Sequence, residues 1–409
     1  MTFDPSEYIK GIQQILVSDK KRIAFLCGAG TSLAKKNNFT KNVPAVTVLT
    51  KNIVEELKQK PEYKTIDEII EEITKSKFTI ESFLSNIEGK INIIGNGKLN
   101  GLEKKDFKEL AAHIKELIHK EVSIHNNITD ADYCNMVHDD FAKWIAKAER
   151  KYPVEIFTTN YDYLFEIGLE NNGIPFYDGF VGSYNPFFLS ESVEFFSFSP
   201  KYTKLWKIHG SLGWKIDSKS RVIRTNPDDK DILIYPSTSK YENSKKQPYT
   251  ALIDRLSNYL KQPDSVLFVC GYSFGDAHIN ERILSGLRSE STSHVYVLYY
   301  DILWKENKKV YSLTEDCELA QLALSNNRIS VLGCRSAIIG GRYGEWKLQR
   351  EPDKEDTINV NLYFDEDAPE KDSIPLSTEQ QGSEEWTGKG ELILPDFSKF
   401  VCFLRGMIS

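Results

Sequence analysis

Apolar and polar positions along the chain group into short blocks that predict strands and helices in alternation. Short apolar runs predict buried strands at 22–27, 154–157, 204–208, 232–235, 265–270, 294–299 and 328–332. Helical spacing of apolar residues predicts helices at 5–19, 163–170, 250–260 and 277–287. Because buried strands that alternate with helices pair in parallel and are covered on both faces, we expect an α/β fold with a parallel sheet.

Two regions depart from this alternation. The segments 65–76, 79–91, 105–119 and 131–150 have helical spacing with Lys/Glu faces, which predicts a helical insertion or cap at about 47–150. Composition changes near residue 350, since 351–372 holds nine acidic residues against two lysines. For this acidic stretch a solvated loop fits better than a partner surface. We therefore expect one domain over 1–345, including the insertion, and a small C-terminal segment over 346–409 with an acidic loop.

Charge and composition exclude several classes of protein. The chain has 409 residues with 52 Lys+Arg against 59 Asp+Glu, a net charge of −7, so direct sequence-specific binding to nucleic acid is not expected. Six dispersed cysteines lack the C-x-x-C spacing of a structural zinc site, and no bound metal is expected. Apolar stretches fall well short of the ~20 residues that span a bilayer, and no basic-then-apolar leader begins the chain, which favours a cytoplasmic protein without membrane contact.

Four predicted strands end in polar or glycine-rich loops. These loops are Gly-Ala-Gly-Thr-Ser at 28–32, Thr-Thr-Asn-Tyr-Asp at 158–162, His-Gly-Ser at 209–211 and Gly-Tyr-Ser-Phe-Gly-Asp at 271–276. In an open parallel sheet, ligands bind outside the carboxyl ends of the strands, so these loops are expected to converge on one cleft.

The first glycine turn suits a phosphate. Gly28 and Gly30 let the backbone approach a ligand without a Cβ, and the amides of Thr31 and Ser32 at a helix start can meet a phosphate or pyrophosphate. A plain strand-to-helix turn explains the same residues equally well. Leu33 stands where the complete G-x-G-x-x-G fingerprint has its last glycine, and a G-x-x-x-x-G-K-[ST] phosphate loop is also missing from the sequence.

Asn160 and His209 are the candidate catalytic side chains. The neutral amide of Asn160 can hold a ribose hydroxyl or a water, although this residue taken alone is better explained as one that forms a turn. His209 can serve as a general base because its unperturbed pKa lies near working pH, but a lone histidine there is more often structural. Asp162 and Asp276 can bind ribose hydroxyls or support loops, and for Asp276 a helix cap is the favoured interpretation.

In this order, the four motifs resemble those of the silent-information-regulator (sirtuin-like) family, over about residues 20–335. The resemblance implies a Rossmann-type sheet that binds NAD. It implies that the NAD phosphates are lined by Gly28, Ala29, Gly30, Thr31 and Ser32, and that the adenosine half is bound by Gly271, Tyr272 and Ser273. It also implies that Asn160 and Asp162 face the nicotinamide ribose and that His209 is the base.

Differences from the protein deacylases indicate which branch of the family this sequence resembles. Protein deacylases of the family carry a four-cysteine zinc module and a G-[IV]-P-D-F-R loop, whereas this chain has only Val-Pro-Ala-Val-Thr at 43–47. Peptide deacylation is therefore disfavoured. Deacylation or ADP-ribosyl transfer would also need a peptide groove, of which the sequence gives no sign. The Tyr-Ser-Phe-Gly-Asp form of the late motif is similar to the bacterial antiphage branch, whose members hydrolyse NAD.

The overall architecture looks most like the sirtuin-like subunit that partners a HerA-type hexameric ATPase. We expect an NAD hydrolase that releases nicotinamide and ADP-ribose, acts in antiphage defence and forms a homo-oligomer in a complex with such an ATPase. The alternative is a non-catalytic subunit that senses NAD or ADP-ribose or organises that complex. The presence of both Asn160 and His209 favours the enzyme.

Overall fold

A computed structural model describes residues 1–36, 39, 41–60, 65–73, 78–148, 150–194, 201–226, 233–234, 247–289, 292–367 and 386–408. The α-helices are α1 Pro5–Val17, α2 Ala29–Ser32, α3 Val46–Lys58, α4 Ile66–Glu71, α5 Ile80–Ile93, α6 Lys104–Val122, α7 Val137–Lys147, α8 Leu164–Asn171, α9 Tyr249–Leu260, α10 Ala277–Leu287, α11 Glu318–Leu324 and α12 Phe397–Gly406.

The strands follow the same chain order. They are β1 Thr2–Phe3, β2 Arg22–Cys27, β3 Glu155–Thr158, β4 Phe176–Tyr177, β5 Phe180–Val181, β6 Phe187–Phe188, β7 Thr203–Lys207, β8 Gly210–Ser211, β9 Trp214–Ile216, β10 Val222–Arg224, β11 Leu233–Ile234, β12 Ser265–Cys270, β13 His294–Leu298, β14 Ile302–Lys305, β15 Lys308–Tyr311, β16 Ile329–Leu332, β17 Ser336–Ile339, β18 Arg342–Trp346, β19 Phe364–Glu366 and β20 Gly390–Leu392.

One large sheet organises the molecule. Its strand order is β1-β18-β17-β16-β13-β12-β2-β3-β7-β4, and the strands from β16 to β4 pair in parallel. Helices cover both faces, which confirms the predicted Rossmann-like α/β fold. Beyond β16, the pairs β16–β17 and β17–β18 are antiparallel, whereas β1 pairs with β18 in parallel, and this part of the sheet was not predicted. There β17 and β18 form a hairpin whose two-residue turn, Gly340 and Gly341, has φ values of +57° and +72°.

Strand β2 shows how the two faces of the sheet are filled. Ile23, Phe25 and Cys27 lie in one apolar cluster, together with side chains of α1, α7, α8 and α12. Ala24 and Leu26 lie in the other cluster, with side chains of α9, α10 and α11. Alternate residues of a strand point to opposite faces, so an uninterrupted apolar run is what a strand covered on both faces requires.

The C-terminal helix belongs to the first of these clusters. Phe400 of α12 lies 5.9 Å from Phe268 of β12, measured between ring centroids, and is fully buried. The segment after residue 346 therefore returns to the sheet through α12. Of the acidic stretch predicted at 351–372, residues 368–372 lie outside the described part of the chain.

Helices α3 to α6 pack around an apolar cluster of their own. This cluster includes Leu57, Phe83, Phe107 and Ile114, all almost fully buried. Helix α7 instead packs against the large sheet. The helix predicted at 131–150 is shorter than expected, because a 3-10 turn occupies Asp130–Asn135 and α7 begins at Val137. Within the described ranges, we find no helix with the length and apolarity needed to cross a bilayer.

Candidate functional site

The ends of four neighbouring strands form one row at the carboxyl edge of the sheet. The paired residues of the row are Cys270, Cys27, Thr158 and Lys207, from β12, β2, β3 and β7. The pairing continues one residue further, where Gly28 N–H donates to Cys270 O at 2.9 Å and Ile208 N–H donates to Thr158 O at 2.8 Å. All four predicted loops therefore leave the sheet at the same edge.

The first glycine turn packs directly against the loop that follows β12. Gly30 N–H donates to Gly271 O at 2.9 Å, and a Cβ on Gly30 would lie 2.6 Å from Gly271 Cα. Gly271 has φ +61°, and its own Cβ would lie 2.6 Å from the Thr31 nitrogen. These glycines are thus required by the approach of another backbone, whereas the approach of a ligand was the expected reason for Gly28 and Gly30.

The amide assigned to phosphate binding at Thr31 is used inside the turn. Thr31 N–H donates to Gly28 O at 2.9 Å, and Thr31 Oγ1 donates to the same oxygen at 2.8 Å. Thr31 and Ser32 are buried, whereas Ala29 is exposed. A phosphate at the Thr31 amide would have to replace the Gly28 carbonyl as its acceptor.

Asn160 ties the loop after β3 to this glycine turn. Its side-chain nitrogen lies 3.0 Å from Gly28 O, 3.1 Å from Thr31 Oγ1 and 2.7 Å from Ser32 Oγ. The residue is 7% exposed. The amide oxygen of Asn160 takes no part in these contacts, so it is the atom of this side chain that suits a ribose hydroxyl or a water.

The Asp162 side chain contacts the same glycine turn through Ser32. Ser32 Oγ donates to Asp162 Oδ2 at 2.6 Å, and Leu164 N–H donates to Asp162 Oδ1 at 3.1 Å. Lys207, which is 3% exposed, donates to the Asp162 backbone oxygen and to Glu166 Oε1, the latter at 2.8 Å. Sequence reasoning missed Lys207, although a lysine inside an apolar strand is a signal that a buried acidic partner exists.

His209 forms a buried pair with Asp276. His209 Nε2 lies 3.0 Å from Asp276 Oδ2, and both side chains are less than a tenth exposed. The other carboxylate oxygen of Asp276 accepts the backbone N–H of His278 at 3.0 Å, which caps α10. The predicted cap is confirmed, and the contact with His209 was not foreseen.

The remaining predicted residues of the late motif differ in accessibility. Tyr272 is 8% exposed, and its hydroxyl hydrogen-bonds within the loop, 3.2 Å from Asp276 O and 3.1 Å from Asn280 Oδ1. Ser273 is exposed. Phe274 adopts φ +59°, a conformation that costs a bulky residue energy and that persists only where the surroundings impose it.

The helical insertion reaches the site through Tyr161, which follows Asn160. Tyr161 donates its hydroxyl to Glu81 of α5 at 2.7 Å. Burial, the charge of Glu81 and then the charge of Asp276 raise the pKa of Tyr161 well above its ordinary value. The contact with Glu81 therefore links the helical insertion to the loop that carries Asn160.

A cavity of about 360 Å³ lies beside these loops. It is lined by aromatic side chains, including Tyr163 and Trp214, by carboxyl groups, including Glu166, and by Ser211. Burial raises the pKa of Glu166, while the ion pair with Lys207 opposes that shift. None of the predicted site residues lines this cavity, although Ser211 follows His209 by two positions.

Comparison with known proteins supports a sirtuin-like relationship. Residues 154–321 match the family model of the SIR2-like domain. The matched stretch contains Asn160, Asp162, His209 and the 271–276 loop, and it begins after the 28–32 turn. A search of the curated proteins found no match. A SIR2-like domain indicates an NAD-related function. The part of the chain that the structure describes contains no group of three or more His, Cys, Asp or Glu side chains arranged to hold a metal ion.

Proposed function

We propose that this protein hydrolyses NAD to nicotinamide and ADP-ribose. One observation carries the proposal: Asn160 and His209 stand on loops that follow the adjacent strands β3 and β7, at the edge where the glycine turn and the Asp276 loop also meet. The SIR2-like match over 154–321 supplies the NAD-related context.

The chemistry requires few catalytic groups. The bond that breaks joins ribose C1′ to the pyridinium nitrogen, and its electron pair leaves with nicotinamide, which departs as a neutral molecule. No general acid is therefore needed, in contrast to glycosidases that use a pair of carboxyl groups. A water oxygen bonds to C1′, and the proton that this water loses must be accepted by a base.

The described residues can supply the remaining functions. In the proposed reaction, the Asn160 amide oxygen orients the water or a ribose hydroxyl, and His209 accepts the proton, either directly or through that hydroxyl. The contacts of Asn160 with Gly28, Thr31 and Ser32 hold this amide in place without adding charge next to a cationic leaving group.

The direct test is nicotinamide release from NAD by the purified chain. We expect His209→Ala to lower the rate ~10²–10⁴-fold, the usual value of general-base assistance. Asn160→Ala should also lower the rate, because the water or ribose hydroxyl is then no longer oriented. The matched control is His294→Ala. His294 is the first residue of β13, so it lies at the amino ends of the strands, away from the site, where it contacts Ser330 Oγ at 2.9 Å. Unchanged nicotinamide release from either site variant would refute the assignment.

We also propose a role in bacterial antiphage defence, as a homo-oligomer with a HerA-type hexameric ATPase. The support is the similarity of the Tyr-Ser-Phe-Gly-Asp motif at 272–276 to that branch of the sirtuin-like family. In such a system the hydrolase must be inactive until infection, since unrestrained hydrolysis of NAD would kill the host. Nicotinamide release should therefore be compared for the chain alone and with the ATPase. NAD binding without turnover in both conditions would instead favour a sensor or scaffold subunit.

A further inference from the structure

The contact between His209 and Asp276 joins two loops whose strands are not neighbours in the sheet. His209 follows β7 and Asp276 follows β12, and two strands, β2 and β3, lie between them. Neighbouring strands are ~4.8 Å apart, so three spacings separate the two strand ends by about 14 Å. The 271–276 loop must therefore extend over the ends of β2 and β3, which carry the glycine turn and the Asn160 loop.

The carboxylate of Asp276 is fixed by independent contacts on its two oxygens. Oδ1 accepts the His278 N–H at 3.0 Å, and Oδ2 lies 3.0 Å from His209 Nε2. The beginning of the loop is fixed as well, because Gly30 N–H donates to Gly271 O at 2.9 Å. Helix capping needs only one carboxylate oxygen, so the cap leaves the second oxygen, and its direction toward His209, unexplained.

We propose that Asp276 is a positioning residue that selects the tautomer of His209. A carboxylate only accepts hydrogen bonds, so its contact with Nε2 keeps the imidazole proton on Nε2 and leaves the lone pair on Nδ1. This inference rests on the proposed hydrolysis, in which Nδ1 is then the atom that accepts the proton from water or from the ribose hydroxyl. The imidazolium so formed keeps its Nε2–H on the Asp276 carboxylate, which stabilises the positive charge.

Asp276→Asn separates the positioning role from the cap. Asparagine caps helices as well as aspartate does, so its side-chain oxygen can keep the His278 contact. Its NH₂ group then occupies the place of Oδ2 and donates to His209 Nε2, which moves the imidazole proton to Nδ1. The base would be present but protonated on the atom that has to accept the proton.

The control is Asp396→Asn. Asp396 caps α12 through the Ser398 N–H at 2.7 Å, in the same manner as Asp276 caps α10. We expect Asp276→Asn to lower kcat for nicotinamide release ~10²–10⁴-fold with little change in KM for NAD. Asp396→Asn should keep the wild-type kcat. Equal kcat values for the two variants would overturn the positioning role.

Nitrogen NMR tests the same contact without relying on turnover. The chain has seven histidines, so ¹⁵N-histidine labelling of the wild type and of His209→Asn identifies the His209 signals by their loss. We expect the Nε2–H tautomer in the wild type and the Nδ1–H tautomer in Asp276→Asn. An Nδ1–H tautomer in the wild type would overturn the proposal. The expected tautomers in a protein that releases no nicotinamide would refute the hydrolase and leave the positioning contact standing.

Discussion

The contact between the two glycine loops predicts a specific cost for Gly271→Ala. The backbone at Gly271 has φ +61°, which disfavours any residue with a Cβ by ~1–2 kcal/mol. A Cβ would also lie 2.6 Å from the Thr31 nitrogen and 2.7 Å from Gly30 Cα, both backbone atoms that cannot rotate away. Overpacking of this kind typically costs 1–3 kcal/mol, so the two terms sum to ~2–5 kcal/mol.

Gly340→Ala is the matched control for this prediction. Gly340 has φ +57°, and a Cβ there would meet nothing within 4 Å, so only the backbone term of ~1–2 kcal/mol applies. Urea unfolding of both variants measures the difference, and the proposed hydrolysis gives a second readout, since a displaced loop should abolish nicotinamide release in Gly271→Ala. If Gly271→Ala is as stable as Gly340→Ala, the close packing of the two loops is incorrect.

Three further predictions concern stability. Gly89 lies inside α5 with nothing within 4 Å of its Cβ position, so Gly89→Ala should raise the free energy of unfolding by ~0.5–1 kcal/mol, and a lower urea midpoint would contradict this. Burial lowers the pKa of His138 from 6.5 to about 4. Between these pH values the unfolded chain binds more protons than the folded one, so stability present above pH 6.5 is lost as the pH falls toward 4, by at most ~3 kcal/mol from this group. His138→Phe should weaken that pH dependence in urea titrations, and an unchanged slope would exclude His138 as its source. Arg255 Nε lies 3.0 Å from Glu155 Oε2 in a buried ion pair, and Arg255 also pairs with the exposed Glu194 at 3.1 Å. Because Glu194 remains as a partner, Glu155→Ala should destabilise the protein by less than the ~3–5 kcal/mol of a buried charge without a partner. Glu155→Ala with Arg255→Ala should destabilise it by less than the sum of the single variants, which a double-mutant cycle checks.

Local patterns were sufficient for the central strands and their helices. The ranges of β2, β12 and α10 agree with the predicted 22–27, 265–270 and 277–287. The local sequence marks where these elements begin and end, because the two strands are continuous apolar runs and the helix follows a capping aspartate. The antiparallel hairpin β17–β18 was missed, and helix α3 lies inside the helical insertion predicted at about 47–150, although its segment was not singled out. In the hairpin, the pairing partner of β17 is decided by contacts that no local pattern contains.

The candidate site shows the same division. Strand ends can be recognised along the chain, and parallel pairing brings their loops to one edge, so the sequence alone determined the α/β fold class and the loops that meet there. Only the tertiary structure decided that Gly30 packs on Gly271, that Lys207 pairs with Glu166 and that Asp276 meets His209. The physical reason is that periodicity and capping act over a few neighbouring residues. A hydrogen bond between residues 67 positions apart depends instead on strand order and on the course of the loops across the sheet edge.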